Sequence, residues 1–234
     1  MILASSAGAM RRTDAAAAGR MGRMSSSGPI AGHRRATVTG LVLAGGMARR
    51  MGGADKGLVP LAGRPMVEHV VDALRPQVGK ILLSANRNLE RYAALGYPVI
   101  ADALDGYQGP LAGLATALRQ HTTAFLVTVP CDAPLLPDDL VRRLLAACEA
   151  SDADVAVASD GERQQSVFLL VRARVAPALE SYLAGGGRKV DTWLSRVRAA
   201  VADFSDEPWA FVNVNDPGER ERVEAQLLSA AGSR

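Results

Sequence analysis

The chain has 234 residues, of which 48% are hydrophobic, 22% charged and 4% aromatic, so Leu, Val and Ala must fill the core of one large domain or two small ones. No apolar run approaches the roughly 20 residues of a membrane span, which argues against a membrane protein. The formal net charge of +3 is no argument for nucleic acid, because residues 1–36 hold six arginines and one acid, leaving 21 basic against 23 acidic residues in the remainder.

Residues 1–36 are rich in Ala, Ser, Gly and Arg and lack hydrophobic periodicity, so they read as a disordered tail. The segment has no apolar stretch of signal-peptide length. A dispensable tail is favoured over an organelle transit peptide, and Met10, Met21 and Met24 are alternative starts. Residues 37–234 read as a single domain. Cys131 and Cys148 show no metal-ligand spacing, which argues against zinc, and their scarcity suits a reducing cytosol.

Leu41-Val42-Leu43 is a short apolar run fit for one buried strand. It breaks into Gly45-Gly46 and Gly52-Gly53, with Arg49 and Arg50 between them and Lys56 beyond. Glycines let backbone N–H groups approach an anion, and the basic side chains add charge where phosphates would sit. The alternative is a Gly-rich turn with solvated arginines. Neither Gly-Lys-Ser/Thr nor G-x-G-x-x-G is present.

The pattern from Gly63 to Leu74 predicts a helix with Pro65 in its first turn and His69 as a surface or half-buried position. Lys80–Arg87 predicts a second strand, residues 88–95 a short helix, and Tyr97–Asp102 a third strand. Strand–helix–strand–helix–strand predicts a parallel sheet, whose carboxyl ends gather ligands. Ser84, Asn86 and Asp102 fall there with the Gly-rich loop. Gly109-Pro110 opens a helix to Gln120, in which Gly113 allows close backbone approach. Ala124–Val129 is a fourth strand, ending at Pro130-Cys131-Asp132. Asp132 there suits a metal, the alternative being a cap for a helix from about Asp138. Further elements follow: a helix over 137–150, a strand over 154–159, an apolar run over 165–171, a helix over 173–183, and another beginning at Gly185–Val190. Arg188 and Lys189 read as a solvated face. A late strand covers Val201–Phe204. Asn213 and Asn215 point to one side of an extended segment, unless Asn215 caps the last helix.

The stretch L-A-G-G-M-A-R-R-M-G-G-A-D-K-G resembles the signature of molybdenum cofactor guanylyltransferases. S-A-N-R, D-A-L, G-P-L-A-G, P-C-D, D-F-S-D and F-V-N-V-N agree with that family in order, over Thr39 to Leu227. The resemblance implies a three-layer α/β Rossmann-like sandwich, mostly parallel, with the strand near 165–171 antiparallel. It implies transfer of GMP from GTP to the terminal phosphate of molybdopterin or Mo-molybdopterin, with Mg²⁺ held at Asp132. Catalytic roles fall on Lys56, Arg50 and Asp132. Ligand contacts fall on Leu43, Ala44, Gly45, Gly46, Gly53, Lys56, Ser84, Asn86, Asp102, Gly113, Asp132, Asn213 and Asn215, with Asp102 at guanine or ribose. G-P-L-A-G is placed at the nucleotide, while Gly113 with Asn213 and Asn215 would line the acceptor side. Arg188 would border it. Where the family has N-A-N-R this chain has Ser84, which can still make one hydrogen bond in each sense. Implied partners are molybdenum-insertase and molybdoenzyme-chaperone proteins, with no nucleic acid and no membrane, in the cytoplasm.

Other readings are a cytidylyl homologue, a sugar-phosphate nucleotidyltransferase, and a cofactor-insertion adaptor without catalysis. A GTPase lacks support without a P-loop or N-K-x-D.

Overall fold

The structure is a computed structural model that describes residues 32–44, 55–102, 109–120 and 123–232. The expected ligands Gly45, Gly46, Arg50 and Gly53 lie outside these residues, as does most of the N-terminal tail. Gly32–Arg35 forms a helical turn, α1. Arg34 and Arg35, counted above with the tail, touch the body: Arg34 pairs with Glu149 and Arg35 donates to Pro76 O.

Among the described residues seven strands form one sheet: β1 (Val38–Leu43), β4 (Lys80–Ser84), β5 (Val99–Ile100), β6 (Phe125–Pro130), β7 (Val155–Ser159), β8 (Gln164–Arg172) and β9 (Ala199–Asp203). Their order is β5-β4-β1-β6-β8-β7-β9. All neighbours are parallel except β8, which runs antiparallel to both β6 and β7. β5 is shorter than its apolar pattern suggested. A separate two-stranded hairpin, β2 (Pro60–Leu61) and β3 (Arg64–Pro65), precedes α2 (Met66–Leu74).

Side chains alternate across the strands, and each face carries its own core. Val38, Val42, Leu83, Val127 and Val129 pack with α2 and α5 (Leu140–Ala150). Leu41, Leu82, Leu126, Val155 and Val157 pack with α4 (Pro110–Gln120), α6 (Ala176–Ala184) and α7 (Val190–Leu194). The result is three layers. Gly40 permits the close seat of α2, since a methyl group there would lie 2.8 Å from Leu74 Cδ2. A smaller cluster of Leu61, Met66, Val214 and Val223 ties the hairpin to α8 (Pro217–Gly232). Remaining is α3 (Leu89–Ala93), whose Tyr92 is wholly buried.

Candidate active site

Four strand ends meet at one level. The registers set Leu43 beside both Ser84 and Pro130, and Ser84 beside Ile100. Ala44, Asn86, Asp102 and Asp132, the residues just past those ends, therefore leave the sheet together, where an open α/β sheet collects its ligand. Backbone bonds fix the spacing. Ala44 N–H donates to Ser84 O at 2.7 Å, and Cys131 N–H to Leu43 O at 3.0 Å.

One cluster lies against α4. Asn86 Nδ2 donates to Asp102 Oδ2 at 2.8 Å, and Asn86 Oδ1 accepts the Asp102 N–H at 2.8 Å. Asn86 thus holds both the backbone and one carboxylate oxygen of Asp102. Gly113 faces it from α4: a methyl group there would lie 2.6 Å from Ser84 Oγ, 3.1 Å from Leu43 Cδ2 and 3.4 Å from Asp102 Oδ1. Gly113 thus keeps company with Ser84, Leu43 and Asp102.

A second cluster centres on Lys56. Its Nζ donates to Asp132 Oδ2 at 3.1 Å and to Asn215 Oδ1 at 2.5 Å. An ammonium has three donors, so one direction is left for a further acceptor. The Val214 N–H donates to Asp132 O at 2.8 Å, which stitches the C-terminal segment to the end of β6. Asp132 does not cap α5: Val141 N–H at the helix start donates to Gln77 Oε1 at 3.0 Å. Nor does Asn215 cap α8, since Asp216 Oδ1 accepts the Glu219 N–H while Glu219 Oε2 accepts that of Asn215. Cys131 is buried, and burial, with the charges of Asp132 and Asp55, pushes its thiol up, so it is a neutral packing residue. Among the described residues no cluster of three or more His, Cys, Asp or Glu is placed to hold a metal.

Next to Asn215 opens a cleft of about 430 Å³, lined by Asp160, Arg163, Gln165, Phe211, Asn213 and Asn215 among others. Asn213 Oδ1 is buried there with no hydrogen-bond partner among the described residues. Burial opposes ionisation of Asp160, but the N–H groups of Arg163 and Glu162 and the Gln165 amide outweigh it and hold the carboxyl low. Arg188 closes the end of α6 by donating to Leu183 O at 2.8 Å and to Gly187 O. His69 is half-buried, with Nε2 2.8 Å from Leu61 O.

The sequence reading gave no role to Asp160 and Arg163, which lie in the turn between β7 and β8, or to Gln165 at the start of β8. It also passed over Asp55, a buried acid whose one signal was its place beside Lys56.

A mostly parallel sheet, with two carboxylates at its strand ends and a lysine bonded to one of them, defines an α/β protein with its candidate ligand site at that edge. Solved structures share that fold. The "Molybdopterin-guanine dinucleotide biosynthesis protein A" of Archaeoglobus fulgidus superposes with a TM-score of 0.69 at 22% identity, over 82% of this chain and 99% of that one. A nucleotidyl transferase from Methanothermobacter thermautotroptrophicus gives 0.64 at 23% identity, over 82% and 98%. In sequence, residues 40–214 match the MobA-like NTP transferase domain. The "Molybdenum cofactor guanylyltransferase" of Shewanella loihica (strain ATCC BAA-1088 / PV-4) is 52% identical over 186 residues, 80% of this chain and 95% of the relative. The protein of the same description from Shewanella sp. (strain ANA-3) is 52% identical over 190 residues, 81% and 96%. The chain belongs to the MobA-like NTP transferase family.

Proposed function

We propose that this nucleotidyltransferase moves GMP from GTP to the terminal phosphate of molybdopterin or Mo-molybdopterin, forming the guanine dinucleotide form of the molybdenum cofactor. An acceptor phosphate oxygen bonds to the α-phosphorus, the α–β bridge breaks, and pyrophosphate leaves. The observation that carries this reading is Lys56, bonded to Asp132 at the end of β6 and to Asn215, which lines the cleft.

The acceptor is a phosphate monoester, with a second pKa near ~6, so it is largely dianionic at neutral pH and needs no general base. The work left is to hold two anions in line and to offset their charge. Lys56 supplies a fixed positive charge at the triphosphate, with Arg50 and the N–H groups of Gly45, Gly46 and Gly53 as its companions. Ala44 and Leu43 bring the chain to that point. One carboxylate joined by substrate phosphates is a donor set that suits Mg²⁺, and Asp132 is that carboxylate. The ion would offset charge at the α-phosphate. Asp102, oriented by Asn86, accepts from guanine N1–H and the exocyclic amine; contact with the ribose is the alternative. Gly113 and Ser84 form the floor below it, and Asn213 and Asn215 line the acceptor side. Among the described residues no helix is long and apolar enough to cross a membrane. A cytoplasmic setting follows from the proposed cofactor synthesis, and insertase or molybdoenzyme-chaperone proteins would collect the product.

The test is pyrophosphate release with molybdopterin-loaded acceptor and Mg²⁺, comparing GTP with CTP, ATP and UTP. GTP-selective release is expected, with Asp132→Ala slower by about 10²–10³. CTP preference would overturn the role given to Asp102. No release from folded protein and active acceptor would favour the adaptor reading.

A further inference from the structure

Asp55 and Lys56 are adjacent, yet Lys56 meets the site while Asp55 turns into the protein. The Asp55 side chain is only 3% exposed. Its Oδ1 accepts the Tyr92 hydroxyl at 2.6 Å, and its Oδ2 accepts Asn88 Nδ2 at 2.9 Å. Arg87 Nε stands 3.4 Å from that same oxygen. Tyr92 is wholly buried, and burial pushes its hydroxyl up, so it remains a protonated donor. On the other side of Lys56, Gly57 rests on the same group. A methyl there would lie 2.6 Å from Tyr92 Oη and 3.2 Å from Cys131 Sγ. Asn88 reaches Asp55 from a left-handed backbone, φ 52° and ψ 33°, a conformation that asparagine adopts more readily than most residues other than glycine.

A buried carboxylate is costly to the fold, and an apolar residue of similar size generally packs there more cheaply. The chain keeps the charge and surrounds it with donors from α3 and the turn before it. What this arrangement fixes is the backbone on both sides of a lysine whose four-carbon stem would otherwise sample many positions.

We propose that Asp55 and Tyr92 form a clamp that positions Lys56 for the triphosphate, making both of them positioning residues for nucleotidyl transfer. This rests on the role given above to Lys56.

The test is a double-mutant cycle on the full chain, read by kcat, by KM for each substrate, and by equilibrium binding of a fluorescent GTP analogue. Tyr92→Phe removes one oxygen and keeps the ring. It is expected to lower kcat/KM for GTP by about ten- to a hundredfold, the size of one hydrogen bond to a charged group, and to leave KM for the acceptor unchanged. In a Lys56→Ala background the same change should cost less than about twofold, because coupled residues are not additive. An equal loss in both backgrounds reduces the clamp to support of the fold and overturns the inference alone. A Lys56→Ala protein that binds and uses GTP like the parent overturns the Lys56 assignment together with the clamp. Should Tyr92→Phe fail to fold, Asp55→Asn, which replaces one of the two oxygens accepting from Tyr92 and Asn88 by an NH₂ group and so removes one of those bonds, carries the same cycle with the same expected outcomes.

Discussion

Gly113 contributes to the site through the side chain it lacks. Two effects of Gly113→Ala oppose each other. Within α4, alanine is favoured over glycine by roughly 0.5–1 kcal/mol. In the site, the added methyl meets Ser84 Oγ at 2.6 Å and approaches Asp102 Oδ1 at 3.4 Å. The hydroxyl can rotate away, but the space proposed as the floor beneath the base is then filled. The expected outcome is a melting temperature that holds or rises, with KM for GTP raised by about tenfold. A lower melting temperature at unchanged KM would show that the methyl is absorbed by the fold and that Gly113 is not a floor. At this scale the sequence was informative where a residue stands at a strand end. Lys56 and Asp132 could be picked out from the motifs around them, and the structure joins them. Asp55 could not, because its meaning depends on Tyr92, which is 37 residues away and brought near only by the packing of α3.

Among the elements, α5 shows what a pattern of apolar residues leaves out. Its periodicity is plain, but its start is not: the helix begins at Leu140 rather than Pro137. Gln77, buried between α2 and α5, accepts the Val141 N–H at 3.0 Å and donates to Pro137 O at 2.8 Å and Ala73 O at 3.1 Å. No local pattern could reveal a partner 64 residues distant. Gln77→Leu should leave Val141 N–H buried without its partner, while Pro137 O keeps the Leu140 N–H, and should cost about 1–3 kcal/mol. The measurement is urea unfolding, with a lower midpoint at unchanged slope. Turnover at saturating substrates should stay as it was, since Gln77 touches nothing at the strand ends. The β2–β3 hairpin was equally hidden. Its turn is Ala62-Gly63 rather than the usual Asn-Gly, with Ala62 at φ 47° and its N–H held by Glu224 at 2.6 Å. A contact from α8 compensates for weak turn chemistry.

At the scale of the molecule, strand direction is the property least visible in composition. β8 is an apolar run like its neighbours, and its reversal came from family resemblance rather than from its residues. Burial on both faces removes the alternation that would separate it from a parallel strand. The same deep burial makes a prediction for the two thiols. Cys131 and Cys148 are 5% and 0% exposed, within one core. Burial pushes both thiols up, with Asp132 adding to the effect at Cys131 and Arg172 opposing it at Cys148. Above about pH 8.5 an unfolded cysteine loses its proton, while these keep theirs in the native state. The native state then holds more protons than the unfolded one, so stability must fall as pH rises through that point. Between pH 8 and 9.5, below the range where tyrosines of the unfolded chain titrate, urea unfolding should show this decline. A Cys131→Ala, Cys148→Ala protein, less stable overall, should show a flatter dependence. In native protein at pH 8 a disulfide reagent should find no fast thiol, and two after denaturation. Rapid native reaction at one of them would mean that the sheet opens locally, at the end of β6 for Cys131 or under α5 for Cys148. For Cys131 the opening would be beside Asp132, where the proposed chemistry needs the backbone held still.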